Sequence, residues 1–164
     1  MTIGVLSDSH DHQDHVARAA RLFAERGVEA LIHAGDICSQ FTLRRLEPLK
    51  DQGVRMYAVF GNNDGDRLLL EQKAGGFFTF RDTVMTLELG GRRIVVMHYP
   101  DVAESLFRSG DYELVIFGHS HRPVVRHEGG RLLLNPGSCA GYETDGATVA
   151  VVDLEAMRAE LLAL

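Results

Sequence analysis

Three short apolar runs, each ending in a polar cluster and separated from the next by a helical stretch, constrain this chain more than any other feature. Thr2–Ser7 runs into Asp8-Ser9-His10, Ala30–Ala34 into Gly35-Asp36, and Arg55–Phe60 into Gly61-Asn62-Asn63-Asp64. Between the first two, His12–Arg26 carries Val16, Ala19, Ala20, Phe23 and Ala24 at helical spacing, and Gly27 closes it. Between the second and third, Phe41–Lys50 carries Leu43, Leu46 and Leu49. A β-α-β-α-β order implies a parallel sheet with helices packed on it. Sites in open parallel sheets form at the carboxyl ends of the strands, where Asp8, Asp36 and Asn62 all fall.

The second half reads differently. Val84–Leu89 and Arg93–Met97 flank Gly90-Gly91-Arg92, and Val124–His127 and Arg131–Leu134 flank Glu128-Gly129-Gly130, two hairpin signals. Val102–Arg108 reads as a short helix, and Glu113–Phe117 and Thr148–Asp153 as strands. Arg158–Leu164 has helix-favouring Ala, Glu and Leu, but its position after a hairpin-rich segment favours a closing strand. Asp66–Phe80, ending in Gly75-Gly76-Phe77-Phe78, reads as a rim or an oligomer contact, because exposed aromatics mark contacts. No repeat, low-complexity segment or linker divides the chain, so a single domain over residues 1–164 is expected.

A formal net charge of −6 argues against stable nucleic-acid or anionic-membrane binding, both of which need a basic face. A phosphate-bearing substrate stays open, since bound metal reverses charge locally. Two cysteines, Cys38 and Cys139, are too few for a disulfide framework and read as buried or half-buried thiols in a reducing compartment. Cys38 lies two residues past Asp36, which raises a redox-sensitive role beside the site. The start of the chain enters a strand at once, without a basic or apolar leader, and no apolar run approaches a membrane span; a cytoplasmic protein is expected.

The chemistry-bearing residues gain force together. Gly118-His119-Ser120-His121 follows Glu113–Phe117, and His98 follows Arg93–Met97. Taken singly, Asp8 could cap the first helix, Asp36 and Asn62 could be turn residues, and His98 a satisfied core histidine. Taken together, every one follows an apolar strand and offers oxygen or imidazole, which points to a site for two metal ions. Imidazole mixed with carboxylate suits Mn, Ni, Fe or Zn over Ca or Mg, with Mn the first expectation. The other histidines lack this placement: His12 and His15 are expected on the surface of the first helix, His33 inside a strand, and His127 beside a hairpin turn.

The order D-x-H, G-D, G-N-x-D, a lone strand-end His and G-H-x-H resembles the calcineurin-like metallophosphoesterases. The compact length and Asn135-Pro136-Gly137-Ser138 are similar to the small YfcE-type bacterial and archaeal phosphodiesterases. The resemblance implies an α/β fold, a four-layer α/β/β/α sandwich with two mixed β-sheets packed face to face. It implies that Asp8, His10 and His121 hold one divalent ion, Asn62, His98 and His119 a second, and that Asp36 bridges them. The implied reaction is hydrolysis of a small phosphodiester through a hydroxide bridging the two ions. A phosphomonoesterase remains an alternative. So does a scaffold with little or no activity, the role of a retromer subunit of this fold. Many relatives have a histidine at the place of Asn63, thought to protonate the leaving oxygen. Asparagine is no general acid near neutral pH, which favours diesters or activated esters. Asp64 is expected either to orient a ligand histidine by accepting its second ring N–H or to cap a helix over Gly65–Gln72. Tyr99 follows His98 where many relatives have glycine, and so either narrows the pocket or packs away from it. A homo-oligomer is compatible with the sequence.

Overall fold

The computed structural model describes residues 1–164. Four parallel strands form the heart of the first sheet: β1 (Thr2–Leu6), β2 (Ala30–His33), β3 (Arg55–Val59) and β4 (Phe78–Arg81). They are joined by helices α1 (Gln13–Glu25), α2 (Gln40–Asp51) and α3 (Arg67–Ala74). The hairpin β10 (Thr148–Asp153) and β11 (Arg158–Ala163) adds antiparallel to the free side of β1, giving the order β11-β10-β1-β2-β3-β4. The second sheet contains β5 (Val84–Leu89), β6 (Arg92–Met97), β7 (Leu114–Ile116), β8 (Val124–Glu128) and β9 (Arg131–Asn135) in the order β5-β6-β7-β9-β8. Its inner strands β6, β7 and β9 are parallel, with an antiparallel hairpin partner at each edge. Helix α4 (Ala103–Ser109) connects β6 to β7.

Period-two alternation produces the layers, because successive strand residues face opposite sides of a sheet. Ile3, Val5, Ile32 and Val59 of the first sheet meet Ile94, Val96, Leu114 and Ile116 of the second in a dry core between the sheets. The alternate residues Leu6, Leu31, Met56 and Val149 face outward and pack on Phe23, Leu43, Leu46 and Leu49 of α1 and α2. On the far side, Val95, Val115 and Leu133 pack on Ala103 and Phe107 of α4. This is the expected four-layer α/β/β/α sandwich with two mixed sheets. Gly4 lies where a Cβ would press into the Phe23 ring, so the missing side chain lets α1 approach β1.

The Asp66–Phe80 segment corrects the sequence reading. It is a helix and a strand, with Asp66 accepting the Leu69 N–H at the helix start and Gly75 in the left-handed region at its end. Phe78 and Phe80 point inward, 5% and 8% exposed, with Phe80 stacked on Phe60 at 5.0 Å, so they offer no contact surface. The closing strand at Arg158–Ala163 is present as expected. No helix is long and apolar enough to cross a membrane.

Candidate metal centre

The inner strands of both sheets deliver their carboxyl ends to one rim. Asp8 and His10 follow β1, Asp36 follows β2, Asn62 to Asp64 follow β3, His98 follows β6, and His119 and His121 follow β7. The loops turn sharply there: Asp8, His10, Asp36, His119 and His121 all have positive φ, between 41° and 63°. That region is costly for residues with a Cβ and tends to persist at functional sites. Glycines make room between the loops. A Cβ on Gly35 would strike the His98 ring, one on Gly61 the Asp36 carboxylate and the His98 ring, and one on Gly118 the Ser7 hydroxyl and Asp8 carboxylate.

Three imidazoles are aimed by their outer nitrogens. His98 Nδ1 lies 2.8 Å from the Ala34 carbonyl and His121 Nδ1 3.1 Å from the Tyr142 carbonyl. A carbonyl only accepts, so each Nδ1 carries a proton, and the neutral form of each ring, the form that binds a metal, presents its Nε2 lone pair inward. His10 Nδ1 contacts Cys38 Sγ at 3.8 Å, turning its Nε2 the same way. These lone pairs converge on acceptors. His10 Nε2 is 3.1 Å from His121 Nε2, His121 Nε2 is 3.3 Å from Asp8 Oδ1, and His98 Nε2 is 3.1 Å from Asn62 Oδ1 and 3.5 Å from Asp36 Oδ2. Asp8 Oδ1 is fully buried and has no hydrogen-bond partner. A buried carboxylate oxygen without a hydrogen-bond donor, with the Nε2 atoms of His121 and His10 3.3 Å and 3.9 Å away, fits a cation. Two donor sets emerge, Asp8 with His10 and His121, and Asp8 and Asp36 with His98.

Electrostatics set the two carboxyls apart. Burial pushes the Asp8 carboxyl up from its ordinary value. Burial acts the same way on Asp36, but His98 and two donors from Asn63 outweigh it and hold that carboxyl well below the usual range. The Asn63 N–H meets Asp36 Oδ1 and its Nδ2 meets Oδ2, both at 2.8 Å. Burial disfavours charge on His98 too, yet the Asp36 carboxylate prevails and raises it.

A model of the calcineurin-like phosphoesterase superfamily domain matches residues 1–157. The chain belongs to the calcineurin-like phosphoesterase superfamily. The phosphodiesterase MJ0936 of Methanocaldococcus jannaschii is 34% identical over 159 residues, covering 94% of each chain. A probable metallophosphoesterase of Methanothermobacter thermautotrophicus is 32% identical, covering 99% of this chain and 92% of its own length. The solved structure of a novel archaeal phosphodiesterase superposes over the full length of both chains with a TM-score of 0.91 at 32% identity. The E. coli phosphoesterase YfcE, at a TM-score of 0.70 and 21% identity over 99% of each chain, shares the fold.

Within this superfamily member several side chains serve otherwise than the sequence suggested. Asp8 caps no helix; His12 does, accepting the His15 N–H. Asp64 neither orients a histidine nor caps α3. Its buried carboxylate accepts three backbone N–H groups, those of Asp36 at 3.0 Å, Cys38 at 2.7 Å and Gly61 at 2.7 Å, and so ties the β2 loop to the β3 loop. His12 and His15 are half-buried rather than surface residues, stacked at 3.7 Å, with His15 Nδ1 3.1 Å from the carbonyls of Cys139 and Ala140. His119 is exposed: its ring lies 5.2 Å from that of His98, and its N–H donates to Asp8 Oδ2 at 3.1 Å. Tyr99 stands edge-on to His98 and 5.0 Å from the His119 ring. Burial pushes the Cys38 thiol up to about 12, with Asp64 and Asp36 adding to it, so the thiolate that oxidation requires is suppressed.

Some functional contacts carry no local signal in the sequence. Asn135 donates through Nδ2 to the Gly118 carbonyl and to Ser120 Oγ, both at 3.0 Å, pinning the histidine turn from β9. Ser138 Oγ donates to the Asp8 carbonyl at 3.1 Å. His33 is fully buried; its Nδ1 accepts the Gly35 N–H at 3.2 Å, so its Nε2–H donates to Ser9 Oγ at 2.9 Å. Burial drives His33 down to about 3, keeping it neutral.

Proposed function

We propose that this chain is a metal-dependent phosphodiesterase that hydrolyses small phosphodiesters at a site for two divalent transition-metal ions. The reading rests on one observation above all, the convergence of the His10 and His121 Nε2 atoms on the partnerless oxygen of Asp8, with the His98 Nε2 turned to Asp36 beside it. Asp8, His10 and His121 would hold one ion. Asn62 and His98, with His119 beside them, would hold the other, and Asp36 would be shared. When bound, such ions acidify a water at neutral pH and neutralise charge on phosphate oxygens. The mixed imidazole and carboxylate donors favour Mn, with Ni, Fe and Zn as alternatives.

The chain's own residues set the rest. Asn63 clamps both oxygens of Asp36 with its backbone N–H and its Nδ2, which fixes the shared carboxylate, and a carboxamide N–H is too weak an acid to transfer a proton near neutral pH. Protonation of the leaving oxygen then falls to solvent, so diesters and esters with good leaving groups react fastest. The cleft over the site encloses about 540 Å³ and is lined by His10, Asn62, His121, Arg122, Tyr142 and Glu143 among others. Arg122 is the one lysine or arginine on that lining and faces the anionic substrate. The complete ligand set favours catalysis over the scaffold reading.

The experiment is hydrolysis of bis(p-nitrophenyl) phosphate by chelator-treated protein after adding back single metals. Mn²⁺ or Ni²⁺ restores activity and Mg²⁺ does so poorly. Activity that survives chelation, or that Mg²⁺ restores best, would refute the proposal.

A further inference from the structure

The cleft is larger than its metal ligands need. At about 540 Å³ it falls in the range that takes a whole small-molecule ligand rather than a bare phosphate. It continues past His121, Arg122 and Glu143 into a second cleft of about 510 Å³ lined by Thr144, Asp145 and Thr148. The strap that separates the two carries Tyr142, an aromatic side chain 51% exposed at the rim of the metal centre.

The strap is built to hold that ring out. Gly141 and Glu143, on either side of Tyr142, both have positive φ, 74° and 59°. The Thr144 hydroxyl lies 3.3 Å from the Gly141 carbonyl and 2.8 Å from that of Gly146, closing the turn on itself. Gly141 N–H donates to Ser138 Oγ at 3.1 Å, and the Tyr142 carbonyl accepts from His121 Nδ1 at 3.1 Å. The backbone of Tyr142 therefore belongs to the metal site while its ring belongs to the cleft wall. The ring centroid lies 6.3 Å from that of His10 and 5.7 Å from that of His12, tilted to both. Tyr99, by contrast, abuts His98 and His119 and is not part of the cleft lining.

We infer that Tyr142 is a specificity residue whose ring stacks a flat aromatic substituent of the substrate, a nucleobase or an aryl group esterified to the phosphate held at the metals. An aromatic face at a fixed place beside a phosphate site accepts any base, because every base offers a π-face. The inference rests on the phosphoesterase reading for the position of the phosphate. It adds what lies on the other side of the ester oxygen.

Equilibrium binding separates the two. Affinities of inorganic phosphate, phenyl phosphate and AMP are measured on Mn²⁺-loaded wild type, Tyr142→Phe and Tyr142→Leu. Wild type and Tyr142→Phe prefer an aromatic ligand to phosphate by about fivefold or more, the range of base–aromatic stacking. Tyr142→Leu keeps the strap backbone and loses that ratio. Preference for AMP alone assigns the surface to a nucleobase, and equal preference for phenyl phosphate assigns it to any aryl group. No aromatic preference in wild type, or a ratio retained in Tyr142→Leu, overturns the inference. Failure of inorganic phosphate to bind locates the fault in the metal-site reading, and the stacking falls with it.

Discussion

Asp64 carries the sharpest test of how the site is assembled. Its carboxylate accepts the N–H groups of Asp36, Cys38 and Gly61, and it is 3% exposed. In Asp64→Ala the Asp36 and Gly61 donors are left buried, while the partly exposed Cys38 N–H turns to water. Each buried donor without a partner costs about 1–3 kcal/mol, so the variant loses about 2–6 kcal/mol. A domain with about 5–15 kcal/mol in total is then near its limit, which makes Asp64→Asn the companion variant. There Oδ2, which takes both the Asp36 and Gly61 N–H groups, is replaced by an amide oxygen that still accepts them. Loss of charge and a misdirected NH₂ at Cys38 cost about 1–3 kcal/mol. The assay is urea unfolding of metal-free protein, run beside a Mn²⁺ titration of each variant that folds. Weakened Mn²⁺ binding in Asp64→Asn should accompany the lost stability, because the same bonds position Asp36. If both variants unfold within about 0.5 kcal/mol of wild type, as an ordinary surface substitution would, Asp64 does not join the loops.

Three further outcomes follow from the geometry. Asp36→Ala and His119→Ala should each lower diester hydrolysis by more than about 100-fold, beyond the loss seen when a mere partner of a ligand is removed, while circular dichroism stays native; normal activity in both would sink the two-metal assignment. Gly118→Ala should weaken metal binding without large unfolding, because its Cβ pushes on the Asp8 carboxylate and Ser7 hydroxyl, and unchanged Mn²⁺ affinity would contradict the packing. His33 takes its proton in the unfolded chain below its ordinary 6.5 but in the folded protein only near about 3. Stability present above pH 6.5 is therefore lost as pH falls through that window, by about 1.4 kcal/mol per pH unit for one proton. His33→Gln should flatten that limb in urea melts of the metal-free protein, and an unchanged slope would count against a neutral buried imidazole.

What was legible in the sequence was whatever local pattern determines. Strands β1, β2 and β3 are apolar runs with a hard polar stop, and that stop places Asp8, Asp36 and Asn62 before any tertiary contact is known. The hairpins around Gly90-Gly91 and Gly129-Gly130 announce themselves in the same way, with all four glycines at positive φ. Strand β4 escaped because Phe78-Thr79-Phe80-Arg81 buries only two side chains, Phe78 and Phe80, where β2 buries four in a row, and α3 before it buries only Leu70 and Ala74, a stripe too thin to fix its bounds. The Gly75-Gly76 pair reads as an exposed rim because its work, ending α3 in a left-handed turn, depends on a helix that runs two residues past the Gly65–Gln72 segment offered in the sequence. Asp64 was misassigned for a different reason: its acceptors' partners lie 28, 26 and 3 residues away, a pattern only the fold creates. Tyr142 was silent, since nothing in Gly141-Tyr142-Glu143 shows that the strap crosses the mouth of the site.

Metal stoichiometry bears most directly on the account. Chelated protein titrated with Mn²⁺ and followed by calorimetry should bind two ions per chain. Asp36→Ala should bind at most one with comparable affinity, and diester hydrolysis should rise with filling of the second site. A single site per chain in wild type, with full hydrolysis at one equivalent, would contradict the shared-carboxylate centre.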